Sequence, residues 1–299
     1  MQRRLPRLQA DLLLVLVTAV WGWTFPAVKN ATAIFPTFPF LSLRFSLATA
    51  ALLPFTWRSL RRLSLRGWLA GLGIGTFLFL GYAFQTFGLA YTTSSEAGFI
   101  TGLSVIIVPV AAAVLDRRRP DGWVVTGVLA ATLGLALMSL QGSWLPGPGD
   151  LLMLLCAFSF AAQILAIGRW AGSYNAGAIA TVQIAVAAAW SYLAGLTWQP
   201  MPSLHGLASV VWLALAVTGL LATAAAFLIQ TAVQRFTTET HTALIFSLEP
   251  VFAATFGYLL AGDVLTPRGW VGAALILGGI LMSEAPGLLA RNRPSIRHA

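Results

Sequence analysis

The chain has 299 residues, of which 58% are hydrophobic and only 9% charged, with a formal net charge of +9. So little polar surface cannot coat a globule in water, and nearly all the positive charge lies between apolar runs, which excludes a soluble enzyme and a nucleic-acid-binding domain. The composition is that of an all-α integral membrane protein.

Ten apolar runs approach the roughly 20 residues that a spanning helix needs. They predict spans at 11–28, 40–57, 68–90, 96–115, 122–140, 150–168, 176–196, 208–233, 241–262 and 269–288. With ten alternating spans, Arg3, Arg4, Arg7, Arg58, Arg61, Arg62, Arg66, Arg117, Arg118, Arg119, Arg169, Arg235, Arg291, Arg293 and Arg297 share one side, and the other receives Lys29 and Arg268. The positive-inside rule then places both termini in the cytoplasm of a multi-pass cell (inner) membrane protein. The arginines before span 1 resemble a signal peptide, but the apolar run is too long and lacks a clear cleavage site, so it is read as a span.

In chain order, span 1 carries Trp21-Gly22-Trp23-Thr24-Phe25-Pro26. The two tryptophans either line a cavity or anchor at the interface, and Gly22 with Pro26 marks a flexible point. Span 2 carries Arg44, which either snorkels to the headgroups or points inward, where it could hold a substrate carboxylate or balance Glu249. Tyr82 and Gln85 in span 3, Gln163 in span 6, Gln183 in span 7, and Gln230 and Gln234 in span 8 suggest a shared polar interior, although glutamines also bond neighbouring helices. Glu96, Asp150 and Asp11 open spans 4, 6 and 1, where the helix dipole favours carboxylates, so capping is the expected role. Asp263 and Glu284 lie near span ends and are read as solvated. Cys156 is the single cysteine, which excludes an internal disulfide, and it reads as an inert buried thiol. No metal site and no cofactor is expected.

Span 9 holds the costliest pair. Glu249 sits near mid-membrane, where an ionisable group is a functional hypothesis by default, and Pro250 follows it and is expected to kink the helix. Glu249 either exchanges protons with each side in turn, coupling transport to a proton gradient, or is hydrogen-bonded and fixes the kink.

A weak internal repeat runs through the chain. An offset of 139 lays Asp11-Leu-Leu-Leu over Asp150-Leu-Leu-Met and Arg44 over Gln183. An offset of 145 lays Gln85-Thr86 over Gln230-Thr231, Thr92-Thr93 over Thr237-Thr238, and Gly127 and Gly134 over Gly272 and Gly279. The same offset sets Ser104 opposite Glu249 and Glu96 opposite His241, while Pro109 and Pro250 miss each other by about one turn. Five spans per copy is an odd number, so the copies enter the membrane from opposite sides. Inverted repeats give two related conformations around a midplane site, as transporters need. The units are taken as 1–141, 142–290 and a basic tail at 291–299.

These residues resemble the EamA-type branch of the drug/metabolite transporter superfamily. The resemblance rests on Trp21-Gly22, Arg44, Ser247-Leu248-Glu249-Pro250-Val251-Phe252, Thr266-Pro267 and Gly272-Ala273-Ala274-Leu275-Ile276-Leu277-Gly278-Gly279-Ile280. Asp263 departs from it, since the family more often has glutamate there. The resemblance implies ten helices with inward termini, spans 1 to 4 and 6 to 9 around a central cavity, spans 5 and 10 at the periphery, and export of amino acids or other small metabolites.

The expected partners are a small-molecule substrate and the lipid bilayer, with proton coupling proposed and no nucleic acid, in a monomer or homodimer whose glycines on spans 5 and 10 allow close contact. No Gly-rich nucleotide loop is present, so ATP drive from this chain is not expected. A serine–histidine enzyme built from Ser104 and His241 is disfavoured, because alternation sets them about 12 Å or more apart in depth. A passive channel or a non-transporting scaffold is the remaining alternative.

Overall fold

The computed structural model describes residues 7–91, 94–117, 119–139, 148–256 and 267–291, and among these it is helical with no strand. Span 1 is α1 (Arg7–Thr32), span 2 is α2 (Thr37–Leu60) and span 3 is α3 (Leu65–Gly88). Span 4 is broken into α4 (Ser94–Gly102) and α5 (Ser104–Asp116), and span 5 is α6 (Gly122–Ser139). Spans 6 and 7 are α7 (Pro148–Trp170) and α8 (Ala176–Trp198). Span 8 comprises α9 (Ser209–Gly219), a π-helical turn (Leu220–Ala225) and α10 (Ala226–Val233). Span 9 is broken into α11 (Glu239–Phe246) and α12 (Glu249–Phe256), and span 10 is α13 (Pro267–Arg291). Six helices, at 8–32, 37–60, 65–88, 148–173, 176–198 and 209–236, are individually long and apolar enough to cross a membrane.

Contacts between span ends follow the alternation. Asp11 at the start of span 1 meets His241 at the start of span 9, Asp116 at the end of span 4 meets Arg169 at the end of span 6, and Arg235 after span 8 donates to the Tyr174 carbonyl before span 7. Four helices starting on that same side carry side-chain caps: Ser64 on Gly67, Asp121 on Trp123, Asn175 on Ala178 and Thr238 on His241. Each accepts from an amide that the first helical turn leaves open. On the opposite side the Gln199 side chain after span 7 accepts from the Phe38 amide at the start of span 2.

The capping role expected for Asp11 is not what the structure shows. Helix α1 begins at Arg7, so Asp11 lies a turn inside it and its Oδ1 is 2.9 Å from His241 Nε2. Asp150 does fall in the first turn of α7. Asp263, Thr266 and the pair Thr92-Thr93 lie outside the described residues, as do Arg3, Arg4, Arg118, Arg293 and Arg297. The side chains of Pro26, Glu96 and Glu284 fall outside them too.

Inter-helix packing repeats under the inversion. Spans 3 and 7 pack together as spans 8 and 2 do, spans 3 and 6 as 8 and 1, and spans 1 and 9 as 6 and 4. Spans 5 and 10 pair with each other more extensively than any other helices. Glycine explains that closeness. A β-carbon at Gly134 would collide with the Gly272 carbonyl oxygen, and one at Gly279 with the Gly127 carbonyl oxygen. These two contacts map onto each other under the offset of 145, so the repeat read from the sequence is also a repeat of backbone contacts.

Candidate functional site

Both breaks occur at the same place in the repeat. Span 4 is interrupted at Leu103 and span 9 at Ser247-Leu248, so α5 opens on Ser104 and α12 on Glu249, residues paired by the offset of 145. The hydrogen bonds match residue for residue. Leu103 donates to Ile100 O at 3.1 Å as Leu248 donates to Ile245 O at 3.0 Å, and Ile107 bonds Leu103 O as Phe252 bonds Leu248 O. Different chemistry produces the two breaks. Pro250 supplies one by lacking an amide hydrogen, whereas Gly102 precedes the other and Pro109 lies within the continuous α5. The helix is thus interrupted just before Pro250, and the matching interruption lies about two turns before Pro109.

The breaks face a cavity with about 750 Å³ of empty space, part of it open to solvent. Trp21, Arg44, Tyr82, Gln85, Ser104, Gln163, Gln230, Glu249 and Pro250, all expected as site residues, line it. Many of its walls come in repeat pairs: Trp21 with Phe160, Thr24 with Gln163, Phe25 with Ile164, Tyr82 with Phe227, Gln85 with Gln230, Thr101 with Phe246 and Ser104 with Glu249. An aromatic and apolar wall with a few polar groups is the usual make-up of a small-molecule site.

Two expected residues stand elsewhere. Trp23 points outward and is 42% exposed, because two residues along a helix turn the side chain by about 200°, so Trp21 and Trp23 cannot both face one cavity. Gln183 is fully buried behind the wall. It belongs to an amide chain: Gln163 Nε2 donates to Gln183 Oε1 at 3.1 Å, and Gln183 Nε2 donates to Thr231 Oγ1 at 2.8 Å. Gln230 Nε2 donates to Gln163 Oε1 at 3.1 Å and to Gln234 Oε1 at 3.4 Å, and Gln234 Nε2 donates to Ile164 O at 2.6 Å. Thr231 donates to the Phe227 carbonyl and Gln234 to that of Ile164, so backbone oxygens orient the amides at both ends. The glutamines thus both bond neighbouring helices and, through Gln163 and Gln230, reach the cavity.

Arg44 points inward and does not snorkel. It lies seven residues after the start of α2, deeper than the apolar run alone indicates, and is 2% exposed. Its Nε donates to Thr223 Oγ1 at 2.8 Å and its Nη2 to the Tyr82 hydroxyl at 3.2 Å, with the guanidinium 4.4 Å from the Tyr82 ring centroid. Among the described residues no carboxylate comes within salt-bridge distance of it, so the balancing role with Glu249 has no direct ion pair behind it. Cys156 is fully buried, 3.8 Å from the Thr101 hydroxyl.

Sequence reasoning missed the π-helical turn. It places Thr223 on Arg44 and leaves the Ala222 carbonyl to accept from Trp21 Nε1 at 2.8 Å. Trp21 is further held against Phe246, ring centroids 4.9 Å apart, and Phe227, 5.4 Å apart. The segment Leu220–Ala225 holds neither glycine nor proline. The one available signal is in the repeat itself. Gly75 lies against the Gln183 carbonyl and Gly219 against that of Arg44, contacts related by an offset of 144, whereas residues beyond the turn follow 145. One extra residue has entered span 8, and the wide turn absorbs it.

Known proteins carry the same pattern. Residues 8–140 and again 147–284 match the EamA-like transporter family. An uncharacterized transporter of Archaeoglobus fulgidus is 36% identical over 279 residues, covering 92% of this chain and 86% of its own. A crystal structure of another protein superposes with a TM-score of 0.77 over 97% of this chain and 100% of that one, at 21% identity, a likeness of fold alone. With two five-helix repeats meeting at a shared cavity and both halves matched, the chain belongs to the EamA-like transporter family.

Proposed function

We propose that the protein is a secondary transporter that exports small metabolites, amino acids or related compounds, by alternating access around the central cavity. The carrying observation is the pair of in-register breaks in spans 4 and 9, which put two chemically unlike residues, Ser104 and Glu249, at one cavity. Inverted halves with discontinuous helices beside a site are the arrangement that lets one half rock against the other. The repeats are taken as 1–141 and 142–290, with 291–299 a cytoplasmic tail. Arg58, Arg61, Arg62, Arg66, Arg169, Arg235 and Arg291 lie at span ends on one side, which supports a cytoplasmic assignment for that side in the cell membrane. Gly127, Gly134, Gly272 and Gly279 of spans 5 and 10 are engaged with each other inside the protomer, which supports a monomer.

Glu249 is the candidate for proton coupling. It opens α12 inside the cavity, where a carboxylate is favoured by the helix dipole and yet removed from bulk water. Counterflow in proteoliposomes tests the transport reading: labelled amino acid should accumulate against excess unlabelled amino acid, and a pore gives no such overshoot. Comparing the wild type with Glu249→Gln across pH tests the coupling. The expected result is a folded variant whose exchange no longer responds to a pH gradient, and an unchanged pH response rules the coupling out.

A further inference from the structure

We infer that Thr223, displayed by the π-helical turn of span 8, is a positioning residue that holds Arg44 as a receptor for an anionic group, so that the molecule taken by the cavity carries a carboxylate or a group of like charge and shape. The inference rests on the cavity being a transport site, the reading given above.

A buried guanidinium is expensive unless its charge is balanced and its donors are engaged. Arg44 is 2% exposed, yet no carboxylate lies within salt-bridge distance among the described residues. Two of its three nitrogens are engaged by neutral oxygens: Thr223 Oγ1 takes Nε and the Tyr82 hydroxyl takes Nη2. Nη1 has no hydrogen bond among the described residues, and Arg44 lines the cavity. The neutral partners fix the plane of the fork without cancelling its charge. An arginine so oriented matches the two oxygens of a carboxylate.

The orientation depends on the turn. Gly219 lets α9 lie against the backbone of α2 at Arg44, where an added β-carbon would sit 3.2 Å from the Arg44 carbonyl oxygen. The extra residue that follows changes the helical phase and brings the Thr223 hydroxyl to Nε. Span 3, the repeat counterpart of span 8, has no such turn, and on span 7 the counterpart of Arg44 is Gln183, an amide satisfied by Gln163 and Thr231. The positive pole is therefore one-sided. The surrounding Trp21, Phe25, Phe160, Phe227 and Phe246 suit an aromatic or apolar body attached to the anionic group.

The test uses purified full-length protein and two matched probe pairs: 3-phenylpropionate with 3-phenylpropionamide, and L-phenylalanine with L-phenylalaninamide. Binding is read by thermal shift and exchange by proteoliposome counterflow, for the wild type, Thr223→Val and Thr223→Ser. The wild type is expected to bind each acid at least ten-fold more tightly than its amide. Thr223→Val, nearly isosteric, is expected to weaken the acids about ten-fold and leave the amides unchanged, and Thr223→Ser to restore most of the loss. Equal wild-type affinity for acid and amide overturns the inference, and so does an equal loss for both in Thr223→Val, the mark of a merely structural threonine. If no probe binds the wild type, the anion receptor is overturned, while counterflow of any other solute by the same protein leaves the transport reading standing.

Discussion

The two halves of the chain build the same backbone and put different chemistry on it. The first half brings a cation to the cavity, Arg44, held by the neutral oxygens of its own Tyr82 and of Thr223 from the second half. At the inverted position the second half has Gln183, joined to Gln163, Gln230, Gln234 and Thr231 in a neutral chain of amides. The carboxylate Glu249 also belongs to the second half and faces Ser104 of the first across the cavity. Backbone features of the repeat, such as the breaks, the glycine contacts and the packing pairs, are shared, as the proposed alternating-access mechanism requires of its two halves. Most side chains at the cavity are not shared, Gln85 and Gln230 being the identical pair, and the difference suits the proposed small asymmetric solute, which presents different groups to the two sides.

That contrast can be broken most severely at the charge. Arg44→Gln makes the first half imitate the second, and with charge-assisted bonds worth about 1.5–3 kcal/mol each, binding of carboxylate probes should fall by about two orders of magnitude. Isothermal titration on detergent-purified protein checks this, and unchanged affinity for 3-phenylpropionate removes Arg44 from the site. A backbone prediction comes next in size. Gly134→Val and Gly279→Val should each lower stability by about 1–3 kcal/mol through overpacking, and by similar amounts, since their contacts are inverted copies. Gly278→Ala, where an added β-carbon meets nothing within 4 Å, should be neutral or slightly stabilising in the same thermal melts. Unequal effects at Gly134 and Gly279 would show that the two contacts are not equivalent in energy.

Removing one link of the neutral chain should cost less than removing the charge. Gln183→Met leaves Gln163 Nε2 without its acceptor and is expected to cost about 1–3 kcal/mol, with acid-over-amide selectivity retained. Loss of that selectivity would mean that the halves are not chemically separate. The smallest effect should be at the rim: Asp116→Asn, which breaks the surface pair with Arg169, should change stability by less than about 1 kcal/mol.

How much of this was legible in the sequence depends on the range over which each feature is encoded. Ten apolar runs and the repeat of Gly127 and Gly134 over Gly272 and Gly279 are local or periodic signals, and they yield the architecture. Arg44, Gln85 and Glu249 stand out because polar residues in an apolar run are rare, so most cavity residues could be named individually. The sequence does not show which of them touch. Asp11 and His241 are 230 positions apart and each looks locally like a helix-start residue. Trp23 looked equivalent to Trp21, yet helical phase separates them. The break before Ser104 has no proline to announce it, and the turn at Leu220–Ala225 has neither proline nor glycine. The extra residue behind the turn shows only when span 8 is set against span 3.

The reciprocal contact of Gly127 with Gly279 and Gly134 with Gly272 has a meaning beyond closeness. It is an isologous interface drawn within one polypeptide: each half offers the same surface that it receives, as the two subunits of a symmetric dimer do. Contact between the halves at this seam is thus made twice over by the same pair of surfaces, in addition to the covalent link between them.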